Sequence, residues 1–593
     1  MQLPTLSELA TSRSVIDAFG GYNHNLRIGD GEFYDMKNLT STYYPILSPR
    51  GQRGTYASPT NPQGLIAKDS LCYVDGQYFV INNDRVDMGL SVEASDCPKT
   101  LVSMGAYVII LPDNKYINTA DLTEYGSIEA SATSTGSVSF SLCKLDSTDY
   151  TITYYDKPSE PKDGEYWMDT TSVPHSLKQY SETNAMWVTV PTTYIKITST
   201  GIGSSFSQYD GVKISGLKDV TLTDYDSGDT FTDSDISAID GTFTIMGKGD
   251  DYIIVTGILS QARNISNAVT VKREMPLMDF VVESENRLWG CRYGTSIDGK
   301  VVNEIYASKL GDFKNWNCFM GLSTDSYAAS CGTDGQFTGA ITYLGHPLFF
   351  KESCVHKVFG NYPSNFQIQT TACRGVQKGS HKSLAMVNEV LYYKSRTGIC
   401  AYDGSLPTEI SSAFGELSYS DAIGCSHGNK YYISMKDESG EYNLFVFDVS
   451  KGMWHKEDDI QIDAFCSCRN ELYYIDHSSK KIKTMLGSGT KDTDTVQWMA
   501  ESGVIGVDYP DKKYISKMTF RLALDIGTIV HVYIQYDSMG QWEHVCTMTG
   551  SSLRSFSYPI RPKRCDHMRI RIVGYGDAKI YSITKTIEQG SDT

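Results

Sequence analysis

Carboxylates crowd one short stretch of the chain, Asp224-Tyr225-Asp226-Ser227-Gly228-Asp229, which continues through Asp233 and Asp235. Acidic side chains at alternate positions around a glycine can wrap Ca²⁺, so Asp224, Asp226 and Asp229 are candidate calcium ligands. No glutamate follows at the twelfth position to close the loop, and a solvated Ser/Asp/Gly turn is the competing reading. Seven tryptophans are present. Trp167 and Trp187 are candidate glycan contacts, because an indole offers a flat apolar face to a sugar ring; core packing is the alternative for any tryptophan. Arg561, Lys563 and Arg564 form the sharpest basic cluster, suited to an acidic partner or a phosphate, or else to a solvated loop.

Catalytic signatures are missing. Among 70 Asp and Glu no acid–base pair can be singled out. There is no G-x-S-x-G elbow, Walker loop, H-E-x-x-H or dinucleotide fingerprint. The eleven His are dispersed, His455 in a strand-like segment and His531 on a polar face. A protein that is not an enzyme and needs no cofactor is the expectation.

The elements that would hold these residues announce themselves by repetition. Asn388-Glu389-Val390-Leu391-Tyr392-Tyr393 returns as Asn470-Glu471-Leu472-Tyr473-Tyr474 and Asn429-Lys430-Tyr431-Tyr432. Looser echoes are His346-Pro347-Leu348-Phe349-Phe350, Asn286-Arg287-Leu288-Trp289, Leu71-Cys72-Tyr73 and Ala106-Tyr107-Val108. Each is a turn-forming pair followed by a β-prone apolar run, the start of a strand. The runs open at 71, 106, 288, 348, 391, 430 and 472, in steps of 35, 182, 60, 43, 39 and 42 residues. A period near ~40 residues predicts a β-propeller, here of six or seven blades. The long step implies an insertion, and the step of 60 a long loop or an irregular blade.

The expected organisation is all-β: an N-terminal arm over 1–60, a propeller over 61–124 and 276–487, one or two small β-modules inserted at 125–275, and a β-sandwich over 488–593. The insertion is richer in Ser, Thr and Asp. In the last segment, Met518, Phe520, Leu522 and Leu524 share one face, and Val530, Val532, Ile534 and Tyr536 another. Within the arm, residues 15–28 are expected to close the last blade, so that deleting 1–28 would collapse the propeller.

With 40% hydrophobic and 21% charged residues the balance is that of a globular chain. No apolar run reaches the ~18 residues of a membrane span. The N-terminus lacks the pattern of a secretory signal, so synthesis in a cytoplasm is expected. Fourteen Cys are scattered, with Cys466 and Cys468 the one close pair; buried free thiols are expected, with zinc or disulfides as alternatives. A net charge of −17 disfavours tight grip on a phosphate backbone, though an acidic wall would let DNA slide past.

The opening Phe19-Gly20-Gly21-Tyr22-Asn23, the stretch from Gly31-Glu32-Phe33-Tyr34 to Leu39, and Tyr44-Pro45-Ile46-Leu47 resemble structural proteins of phages of gut Firmicutes. Glu285-Asn286-Arg287-Leu288-Trp289-Gly290, Ile305-Tyr306-Ala307-Ser308 and Gly311-Asp312-Phe313-Lys314-Asn315-Trp316 are similar to a blade of propeller-type hub, nozzle or stabilisation proteins of phage tails. That resemblance implies a non-enzymatic virion structural protein, made in the bacterial host's cytoplasm. It would form a homo-oligomeric ring with other tail or portal-proximal proteins around the DNA exit channel. The alternatives are a receptor- or glycan-binding virion protein acting through the insertion and a propeller glycosidase.

Overall fold

The computed structural model describes residues 11–92, 98–218, 220–223, 230–296, 299–509, 511–550 and 552–589. It is almost entirely β, with 51% of the described residues in strands and 2% in helices. Seven antiparallel sheets follow one another along the chain, six of four strands and the last of five. Their second strands are Leu71–Asp75, Tyr107–Leu111, Arg287–Thr295, His346–Lys351, Val390–Lys394, Lys430–Asp437 and Glu471–Asp476. These are the seven recurring phrases of the sequence.

The turn pair that precedes the phrase has a definite job. Asn388 and Glu389 both take left-handed backbone, with φ of 47° and 66°, as do Glu285 and Asn286 at 51° and 58°. Two such residues make the hairpin turn whose twist matches that of its strands, so Val387 pairs with Val390 and Ser284 with Arg287. The apolar run then enters a strand covered on both sides. Leu391 and Tyr393 pack with Leu348 and Phe350 of the fourth sheet, while Tyr392 between them packs with Tyr431 of the sixth. Trp289 meets Phe349, Tyr432 meets Leu472, and Cys466 of the seventh sheet meets Leu71 of the first. Every sheet thus shares a core with the next, and the last shares one with the first.

The strand that completes the seventh sheet is Gly54–Ala57, paired antiparallel with Ile482–Thr484. Residues 15–28 do not have this role, contrary to expectation. Thr11–Ile16 pairs instead with Ala578–Gln589, and Gly21–Tyr22 and Glu32–Lys37 join the other C-terminal sheet. Residues 11–37 of the arm therefore join the two C-terminal sheets, one of six strands and one of four, which share a core at Met518, Phe520, Val530 and Val532. The physical reason lies in burial. The burial of Thr11–Ile16 alternates, as suits a half-exposed edge. At Gly54 an added Cβ would stand 2.2 Å from the Ser488 carbonyl oxygen, so only glycine fits there.

The long interval between the second and third sheets holds an eight-stranded sheet, a three-stranded one and a short hairpin. The 60-residue step is explained by the long connection between Val301–Ala307 and Tyr327–Ser330, which docks the insertion. Asn315 donates to Asp210 at 2.9 Å and accepts from the Gly211 N–H at 2.8 Å, and Asp210 in turn binds Arg273 at 2.5 Å. Thirteen described cysteines are free thiols, Cys466 and Cys468 among them, both buried. Among the described residues no helix is long and apolar enough to cross a membrane.

Charge locks the closing strand in place. Arg53 donates to Glu457 at 3.0 Å and pairs with Asp458 at 2.7 Å; Arg50 reaches Asp458 at 3.3 Å. Arg53 is only 5% exposed and Glu457 6%. Removing one member of a buried pair strands the other, typically at a cost of about 3–5 kcal/mol. Arg53→Ala is expected to lower the urea midpoint by that order, whereas trimming the exposed Arg27 should leave it within about 0.5 kcal/mol. Equal midpoints for the two variants would refute this role of Arg53.

Candidate functional site

The structure brings Trp167 and Trp187, twenty positions apart in sequence, into one cluster on the three-stranded sheet of the insertion. Its strands are Tyr166–Asp169, Ser176–Ser181 and Met186–Thr189. In register, Trp167 lies opposite Lys178, and Tyr180 opposite Trp187. Side chains alternate across a sheet, so Met168 and Leu177 enter the insertion's core while Trp167, Lys178, Tyr180 and Trp187 share the other face. The Trp167 and Trp187 ring centres are 5.5 Å apart, edge to face; Tyr180 stands 5.3 Å and Tyr154 6.4 Å from Trp187.

This aromatic group has a polar border. The Lys178 ammonium sits 4.8 Å from the Trp167 ring centre and 2.6 Å from Asp169. Hydrogen bonds from Lys178 and Thr171 hold the Asp169 carboxyl down at about 2. Trp167 is buried, and its indole N–H has no acceptor. Trp187 and Tyr180 are half-buried, and Met186 beside them is exposed. Such a surface can stack against the C–H face of a pyranose while lysine and aspartate reach its hydroxyls.

A second feature had no signal in the sequence. A polar cavity of about 450 Å³ opens between the fourth and fifth sheets. It is lined by the turn at Glu352 and Ser353, the turn at Ser395, Arg396 and Thr397, and connecting-loop residues that include Asp334, Thr338, Arg374 and Lys378. Lys351 forms part of its wall at 1% exposure and donates to Asn303 Oδ1 at 3.0 Å and to the Thr333 carbonyl at 2.8 Å. Burial pulls the Lys351 pKa down. Four separate segments supply these residues, so no local spacing could have grouped them.

The other sequence candidates fare differently. Asp224, Asp226 and Asp229 lie outside the described residues. Among the described residues no group of three or more His, Cys, Asp or Glu is placed to hold a metal. The basic run does not act as three free cations: Lys563 pairs with Glu543 and lies 4.6 Å from the Tyr536 ring centre, while Arg561 is exposed.

No protein-family model and no curated protein matches the chain. Similar solved structures include the exo-β-1,3-galactanase of Phanerochaete chrysosporium with galactose, at 9% identity and a TM-score of 0.21, over 51% of this chain and 94% of that one. The Trypanosoma rangeli sialidase with sialic acid is 9% identical at a TM-score of 0.24, over 98% and 96%. PorZ, a surface component of the type IX secretion system of Porphyromonas gingivalis, is 11% identical at 0.25, over 88% and 82%. At these TM-scores the likeness assigns no activity to this chain. The expectation of a non-enzymatic phage-tail ring protein is corrected and not carried forward: the similar structures named above are a galactanase, a sialidase and a secretion-system component.

His356, on the strand Cys354–Phe359 of the fourth sheet, is fully buried and hydrogen-bonded to Thr333 Oγ1 at 2.9 Å and Thr370 Oγ1 at 2.8 Å. Burial, then the nearby Lys351 charge, lowers its pKa from 6.5 to about 4. The unfolded chain therefore binds a proton between these values that the folded chain refuses, so stability is full above pH 6.5 and falls as pH drops toward 4. At about 1.4 kcal/mol per pKa unit the loss is on the order of 3 kcal/mol. Urea midpoints measured from pH 7 to 4 should decline more steeply in the wild type than in His356→Gln; parallel slopes would count against this assignment.

Proposed function

We propose that the seven sheets form one closed β-propeller, with Gly54–Ala57 as the strand that joins its ends, and that the protein is a carbohydrate-binding protein. The core shared between each sheet and the next, and between the seventh and the first, supports the radial arrangement. The observation that carries the binding reading is the convergence of Trp167, Trp187, Tyr180 and Tyr154 on one outward sheet face beside the Lys178–Asp169 pair. A core indole would need no such border. A ligand that is apolar on its faces and polar around its rim matches it, and a pyranose has that form.

Cleavage of a glycoside is a second reading, favoured by one feature of the cavity. Asp334 and Glu352 both line it, and glycoside hydrolysis takes a pair of carboxyl groups, one proton donor and one base or nucleophile.

Two measurements divide these readings. On an array of neutral and acidic oligosaccharides, the wild-type protein should bind at least one class, and Trp187→Ala should weaken that binding by about tenfold or more, on the scale of about 0.5–1.5 kcal/mol for an aromatic contact plus its lost burial. A silent array, or full binding by Trp187→Ala, would refute the aromatic platform. Turnover of fluorogenic glycosides that vanishes in Asp334→Asn and in Glu352→Gln would establish the hydrolytic reading; no turnover leaves binding as the activity.

A further inference from the structure

We propose that the cavity between the fourth and fifth sheets is an anion site, built for a ligand that carries a carboxylate, sulfate or phosphate group. Four cations line it, Lys351, Arg374, Lys378 and Arg396, against two carboxylates, Asp334 and Glu352. In a chain with net charge −17 this local excess runs against the composition. It also runs against ordinary pairing. Among the described residues, Lys351, Lys378 and Arg396 make no ion pair, and Arg374 alone is paired, to Glu409 at 2.6 Å. Glu352 is turned to other use, accepting the Lys378 backbone N–H at 3.2 Å.

Lys351 is the most buried of the four cations. Lys351 is 1% exposed and has only neutral acceptors, Asn303 Oδ1 and the Thr333 carbonyl, with the Phe337 ring centre 4.7 Å away. An unpaired buried cation is unfavourable unless something of opposite charge compensates it. Thr338 adds an independent sign. It is 4% exposed, lines the same cavity, and its hydroxyl has no partner. A hydroxyl that can donate, the Lys351 ammonium in the wall and the exposed cations Lys378 and Arg396 make a receptor for an oxyanion. The two arginines supply planar forks that suit the paired oxygens of a carboxylate, a sulfate or a phosphate.

This inference is independent of the aromatic face, which belongs to the insertion. The test titrates the full chain calorimetrically with glucuronate, inorganic sulfate, inorganic phosphate and glucose. The anions should bind, glucose should not, and affinity should fall as salt is raised. Arg396→Ala and Lys378→Ala, both at exposed positions, should each weaken anion binding by about tenfold while leaving the melting temperature unchanged, since a hydrogen bond to a charged group is worth about 1.5–3 kcal/mol. Glucuronate binding tighter than phosphate would support the site and assign it to acidic sugars; the reverse order would support it and assign it to phosphate esters. The proposal is overturned if no anion binds at about 50 mM, a level already far weaker than the millimolar affinity of a few charged contacts. Equal binding of glucose, or an unchanged affinity in both variants, would overturn it as well. Trp187→Ala serves as the control, and its anion affinity should match the wild type.

Discussion

A sheet that is apolar on both faces must bury both of them, and much else in this protein follows from that constraint. Each of the seven sheets has two apolar faces to cover, and the nearest cover is the sheet before it and the sheet after it. The second strand shows how one short phrase meets both needs. Leu391 and Tyr393 point to one neighbour and Tyr392 to the other, so a run of three adjacent large residues is buried in two different cores. A strand exposed on one side would alternate polar and apolar; a strand covered on both must be apolar throughout. Repetition of the phrase is repetition of this packing problem.

Covering both faces of every sheet leaves the ends of the series to be dealt with. An unfinished last sheet would present an open edge, ready to pair with another chain. The strand Gly54–Ala57 fills that place from the other end of the polypeptide. Its position is secured by Arg50 and Arg53 against Glu457 and Asp458, charges that lie some 400 residues away along the chain. The arm before this strand continues into the sandwich, where Tyr22 packs 5.4 Å from Phe445 of the sixth sheet. The N-terminal 60 residues therefore bind the sandwich to the repeated sheets.

A scaffold held this firmly leaves its loops and its insertion free to carry function. The insertion rests on the long connection of the third sheet through Asp210, Asn315 and Arg273, and so displays the Trp167–Trp187 face without disturbing the shared cores. The cavity of Lys351, Arg374 and Arg396 is made the same way, from turns and connecting loops whose ends are fixed by the fourth and fifth sheets. A lysine buried at the end of a strand is costly, and such a cost at a loop-lined cavity is the kind of local expense that points to a ligand.

The sequence alone determined whatever depends on neighbours along the chain. The β class and the seven strand-opening phrases were legible because strand periodicity and turn chemistry act over a few residues. Trp167 and Trp187 could be singled out by type, yet only folding put them 5.5 Å apart, since their meeting depends on the register of three strands. The arm departs from the expectation for a related reason. Both 11–16 and 54–57 read as short strands, and which one closes a sheet is decided by the partner edge available in space. The charged cavity was invisible, because its residues come from four segments and each is ordinary by itself. Local physics writes the elements into the chain; long-range packing alone decides which of them meet.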